Sequence, residues 1–161
     1  MTASTTIQQT RPFSGPEHEA YVALQRLATR LRDETEELLK AGGLSVTQFN
    51  VLRILRGSDG QGLTCGEIGA RLISKDPDVT RLLDRLEKLG WVERARSEQD
   101  RRVVLTRLSP EGRALVGRFD TPLAELHRRQ FAHLPSERLE ELLDLLREAA
   151  ASPTTGKDDS G

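Results

Sequence analysis

One cysteine, Cys65, stands in the 161-residue sequence, so no internal disulfide is possible. A reducing compartment suits such a chain, and the cytoplasm is the expected location. No apolar run approaches the roughly 20 residues that a membrane span needs. Met1 to Gln9 is polar and lacks the apolar core of a signal peptide. His18, His127 and His133 lack metal-ligand spacing, and His127 and His133 do not share a helical face. No Ser-His-Asp set, glycine-rich phosphate loop or pocketed carboxylate pair is readable, so neither catalysis nor a cofactor is expected. Excess charge is missing too: 24 Lys and Arg stand against 25 Asp and Glu, a net charge of −1. A uniformly basic nucleic-acid binder is thereby excluded, and any positive patch must be local.

Such a patch exists. From Arg94 to Arg107 five arginines face only Glu98 and Asp100, a local balance of +3. Glu137 to Glu148, by contrast, holds five acids against Arg138 and Arg147, a balance of −3. The asymmetry implies one face for DNA and another turned away from it.

The basic stretch ends a longer pattern, Leu63 to Leu108. Thr64-Cys65-Gly66-Glu67 predicts a capping box that opens a short helix with Ile68 and Leu72 on its buried side. Ile73-Ser74-Lys75 predicts a turn, and Asp76-Pro77 predicts an N-cap and first helical position. Val79, Leu82, Leu83, Leu86 and Leu89 form an apolar stripe, and Gly90 stops the helix. Thr80, Arg81, Asp84, Arg85 and Lys88 face the other way. Trp91–Ala95 and Val103–Leu108 read as two strands, joined by a turn over Ser97–Arg102.

Two capped helices and a basic hairpin in this order make a winged helix-turn-helix. The second helix fits the major groove. Arg81 and Arg85, one turn apart, are candidates for base edges or phosphates, and Thr80 and Lys88 for phosphates. The competing reading of both arginines is a surface ion pair with Asp78 or Asp84. Asp100 and Arg102 fall on one side of the hairpin, where Asp100 can brace Arg102 for the minor groove. Arg101 points oppositely, toward phosphate. Asp76 and Asp78 would repel phosphate or accept from cytosine N4. Cys65, at a helix start, reads as a reactive thiol or as an inert small residue.

Val79 to Arg94, Asp100-Arg101-Arg102 and Leu108-Ser109-Pro110-Glu111-Gly112 together resemble the MarR family of bacterial transcription regulators, in one register from about Glu17 to Ala150. The resemblance implies a mainly α (α+β) fold: a winged helix-turn-helix domain with a two-stranded wing, flanked by N- and C-terminal dimerisation helices. It also implies a homodimer, double-stranded DNA as partner, repression, and release by a small aromatic or anionic effector. His18, Tyr21 and Arg26 are the candidates to line the effector cleft.

The expected organisation is a flexible arm at 1–13, a first dimerisation helix at 14–43, the DNA-binding domain at 44–108, C-terminal dimerisation helices at 109–151 and a flexible tail at 152–161. Ser14-Gly15-Pro16-Glu17 and Ser45-Val46-Thr47-Gln48 read as capping boxes, with Leu44 and Phe49 as a hydrophobic staple. Ala20, Leu24, Leu27, Ala28, Leu31, Thr35 and Leu38 stripe the first helix. Phe49, Val51, Leu52 and Leu55 are the buried groups of the second. Ser109-Pro110 starts a later helix, with Leu115, Val116, Phe119, Leu123 and Leu126 as its stripe and Pro122 predicted to kink or split it. Leu139, Leu142, Leu143, Leu146 and Ala149 stripe the last.

A winged helix closes its own core, so the terminal stripes need cover. They either pack within one chain or interleave with a second copy. The second arrangement sets two recognition helices about 34 Å apart on a near-palindrome. The alternative function is a winged-helix module that binds protein without specific DNA binding.

Overall fold

A computed structural model describes residues 12–73 and 78–151. Ser74, Lys75, Asp76 and Pro77 lie outside them, as do the expected N-terminal arm to Arg11 and the tail from Ser152. The chain forms two compact units, Met1–Asp120 and Thr121–Gly161.

In the first unit, α1 (Pro16–Leu39) runs into a 3-10 turn at Lys40–Gly42, closed by Gly43 in the left-handed region. Ser14 does not cap α1 as expected. Gly15 is the N-cap, and the Ser14 N–H and hydroxyl meet His18 Nδ1 at 3.3 and 3.2 Å. Of α1, only Leu39 is buried, and Leu24 is 45% exposed. Of the predicted stripe, Ala20, Leu24 and Ala28 are exposed, while Leu27, Leu31, Thr35 and Leu38 are half-buried.

Helix α2 (Val46–Arg56) carries the expected capping box: Gln48 N–H donates to Ser45 Oγ, and Ser45 N–H to Gln48 Oε1. Leu44 and Phe49 are both buried, in the staple arrangement. Phe49, Val51, Leu52 and Leu55 are buried, and Phe49 meets Phe119 edge-on at 6.0 Å. Helix α3 (Cys65–Arg71) has the second capping box, Thr64 with Glu67. The two Thr64 hydrogen bonds, backbone N–H first and hydroxyl second, hold the Glu67 carboxyl below its ordinary pKa.

Helix α4 (Val79–Lys88) starts later than the Asp76-Pro77 signal predicts. Its N-cap is Asp78, whose carboxylate accepts from Arg81 N–H at 3.1 Å. Leu83 and Leu86 are buried, but Leu89 is half exposed, because it is the C-cap rather than part of the stripe. Gly90 adopts φ +75°. Its N–H donates to Glu87 C=O at 2.9 Å, and Trp91 N–H donates to Leu86 C=O at 3.0 Å, which completes a Schellman motif.

Strands β1 (Val92–Arg96) and β2 (Val104–Leu108) pair antiparallel, with Val92 opposite Leu108 and Arg96 opposite Val104. Leu63 adds an antiparallel bridge that the sequence does not announce, exchanging both backbone hydrogen bonds with Thr106 at 2.8 and 2.9 Å. Helix α5 (Pro110–Gly117) is capped by Ser109, which accepts from Gly112 N–H at 2.9 Å.

The predicted interruption of the next helix falls ahead of Pro122. Arg118 and Phe119 form a turn, and α6 (Asp120–Phe131) begins after it. Pro122 thus occupies the first turn of α6, where its missing N–H leaves no intrahelical bond unmade. In the second unit Leu123, Leu126 and Gln130 of α6 are buried, and α7 (Ser136–Ala150) has no buried residue. Among the described residues no helix is long and apolar enough to cross a membrane.

Candidate nucleic-acid interface

Burial of Leu83 and Leu86 turns the opposite face of α4 to solvent. Thr80, Arg81, Arg85 and Lys88 are all exposed. They differ in engagement. Arg81 Nε lies 3.1 Å from Asp78 Oδ2, although the Arg81 side chain is 86% exposed. Thr80 Oγ1 stands 3.7 Å from Cys65 Sγ, a contact between α4 and α3. Arg85 and Lys88 make no side-chain hydrogen bond or ion pair among the described residues. Asp78 serves as helix cap and as tether for Arg81, and Asp76 lies outside the described residues.

The wing is built so that its tip is ordered and its tip cations are free. Ser97 N–H donates to Val103 C=O at 2.8 Å, and Val103 N–H to Asp100 C=O at 3.0 Å. Arg96 Nη1 donates across the turn to Arg101 C=O at 2.7 Å. Asp100 does meet Arg102, but through the backbone: its carboxylate accepts from Arg102 N–H at 3.0 Å. The Arg101 and Arg102 side chains are exposed and unengaged among the described residues.

Not every arginine of the basic stretch belongs to the tip. Arg107 donates to Gly60 C=O at 2.9 Å and Gln61 C=O at 3.2 Å, holding the loop before Leu63. Arg94 reaches Asp84 at 2.6 Å and Glu87 at 2.9 Å, both on α4. Its pKa is raised, chiefly by the hydrogen bond it donates to Glu87 and further by the one it donates to Asp84. Counting residues along the chain groups Arg94 with the tip. Strand alternation from buried Val92 places it instead on the side facing α4, and that is the signal the charge count misses.

The three cleft candidates lie along α1. Arg26 lines a shallow depression with Gln25, Thr29, Arg30, Asp33 and Glu34. His18 packs edge-on against Phe13 at 5.3 Å, and Tyr21 is 62% exposed. Among the described residues no group of three or more His, Cys, Asp or Glu could hold a metal ion. Cys65 is a half-buried free thiol.

Residues 44–104 match the sequence model of the MarR family. Transcriptional repressor MprA of Escherichia coli (strain K12) is 32% identical over 116 residues, 67% of this chain and 66% of the repressor, so the chain spans just under two thirds of that relative. Two solved structures share the fold over most of their length. One is a mutant MarR from E. coli complexed with operator DNA, with TM-score 0.74 and 26% identity over 82% of this chain and 94% of that one. The other is a MarR transcription factor from Planctomyces limnophilus, with TM-score 0.64, covering 86% of this chain. Because that factor is 36% identical and matched along 99% of its length, the likeness extends from fold to sequence, and the chain belongs to the MarR family of winged-helix transcription regulators.

Proposed function

We propose that the chain is a sequence-specific DNA-binding repressor, acting in the cytoplasm as a homodimer on a near-palindromic operator and released by a small aromatic or anionic effector. In this reading residues 44–108 bind DNA, and the helices at 14–43 and 109–151 dimerise. Thr80, Arg81, Arg85 and Lys88 meet the major groove and its phosphates, while Arg101 and Arg102 carry the wing to the neighbouring backbone and minor groove. Asp100 serves by shaping the wing turn. No catalytic step is part of this reading.

The observation that carries it is the pairing of two exposed basic elements on an ordered frame: α4 with Arg85 and Lys88 unengaged, and a wing tip with Arg101 and Arg102 unengaged. Arg94 and Arg107, by contrast, are held within the frame by carboxylates and by carbonyls. Free cations on a rigid scaffold suit phosphate, which binds by releasing counterions.

The test is a DNA titration at several salt concentrations, on duplexes selected from a random pool and on scrambled duplexes. The expected result is a linear fall of log affinity with log salt, and tighter binding to selected duplexes. A chain that shows no salt-dependent DNA binding refutes the reading and favours a winged helix that docks on protein.

A further inference from the structure

We propose that Arg94 is a positioning residue that fastens the wing to the recognition helix, so that both meet DNA as one body. The inference rests on the DNA-binding reading above. Arg94 lies on β1, two residues beyond buried Val92, and its side chain is 25% exposed. Nη2 stands 2.6 Å from Asp84 Oδ1 and Nε 2.9 Å from Glu87 Oε2. Asp84 and Glu87 are three residues apart, so they rise from adjacent turns of α4 on one side. A guanidinium offers five donors in one rigid plane and can hold two carboxylates together; an ammonium is a compact charge on a flexible stem. The bridge therefore fixes β1 against α4 in two places.

The consequence follows from what each element carries. Base-facing side chains sit on α4 and the free tip arginines sit on the wing. When one rigid body presents both, the first contact sets the second at high effective concentration. If the two move separately, each contact bears its own ordering cost. Arg94 also offsets two carboxylates on the DNA-facing helix, so fastening and charge must be separated by experiment.

Two kinds of variant change the charge in opposite senses while breaking the same bridge. Arg94→Ala leaves Asp84 and Glu87 unpaired and should weaken binding to every duplex. Asp84→Ala with Glu87→Ala removes those carboxylates and should strengthen binding to scrambled DNA. Both should lower the ratio of selected to scrambled affinity by about tenfold, the order of one lost bidentate contact. Arg94→Lys should recover part of that ratio. The double variant leaves Arg94 in place and so tests the idea even where Arg94→Ala folds poorly. An unchanged or raised ratio in the double variant overturns the proposal, because charge alone then explains Arg94. So does a fall in both affinities of Arg94→Ala in proportion to a lower melting temperature. Wild-type protein without salt-dependent binding overturns the regulatory reading and this inference with it; wild-type binding with unchanged ratios overturns this inference alone.

Discussion

Arg81 and Arg102 bear the same guanidinium in different surroundings, and the difference sets what each can read. Arg81 is tethered to Asp78 at 3.1 Å. An exposed pair of this kind contributes about 0–1 kcal/mol, whereas a bidentate contact to guanine discriminates by about 1–3 kcal/mol. In the proposed DNA-binding reading, exchanging Asp78 for a base edge is therefore favourable, and the tether holds Arg81 ready. Arg81→Ala should relax preference at one position of each half-site by ~1–3 kcal/mol. Arg102→Ala should instead weaken binding to all duplexes alike and flatten the salt slope by about one phosphate or less. Titrating each variant on selected and scrambled DNA separates the two. An Arg102→Ala protein that binds like wild type would remove the wing from the interface. Asp100 makes a finer test, since its carboxylate accepts from the Arg102 backbone N–H. Asp100→Asn keeps an acceptor there and should bind nearly as wild type, while Asp100→Ala should loosen the turn and show part of the Arg102→Ala defect. The spacing of Asp100 and Arg102 put both residues on one side of the hairpin. It did not distinguish guanidinium from backbone as the partner, because that choice depends on the tightness of the turn.

Among the elements, what was readable from the chain depended on how locally each feature is caused. The boxes at Ser45 and Thr64 and the cap at Ser109 are satisfied within four residues, and all three form. Gly90 stops α4 because a left-handed residue must follow it, again a local need. Leu63 pairs with Thr106 across 43 residues, and no local pattern marks it. Gly112 is the sharpest contrast with Gly90. It lies inside α5, yet a Cβ there would stand 2.1 Å from Trp91 O and 2.9 Å from Trp91 C. Ser109 draws the same segments together, donating to Gly90 C=O at 2.6 Å while capping Gly112 N–H at 2.9 Å. Thus the end of α4, the start of β1 and the start of α5 meet with backbone against backbone. Gly90→Ala has open space around it, so its cost should be the left-handed conformation alone, ~1–2 kcal/mol. Gly112→Ala must push backbone aside and should cost more, visible as the larger fall in melting temperature. Equal falls would mean that α5 is not held against Trp91.

At the scale of the whole molecule, the question is what covers the terminal helices. Leu52, Leu86 and Val116, all of the Met1–Asp120 unit, are fully buried in the single chain, so that core does not wait for a second copy. The apolar side of α1 is different, with Tyr21 62% and Leu24 45% exposed. On α7, Leu143, Leu145 and Leu146 are 42%, 63% and 39% exposed, and nothing on that helix is buried. The spacing of Leu24, Leu143 and Leu146 was legible as helical stripes, but a stripe does not say whether its cover comes from the same chain. Burying such side chains contributes about 25 cal/mol per Å², and a two-fold partner supplies an identical apolar surface to meet them. Removing residues 136–161 deletes α7 and retains residues 44–108, which carry the winged helix. The truncated protein should lose the dimer by light scattering, running as monomer or aggregate. DNA binding then reports the same loss independently. In the proposed reading one winged helix contacts one half-site, so the salt slope of whatever monomer remains should fall to about half the full-length value, because roughly half the phosphates are neutralised. A truncated protein that stays a well-behaved dimer with an undiminished slope would place the dimer interface outside α7.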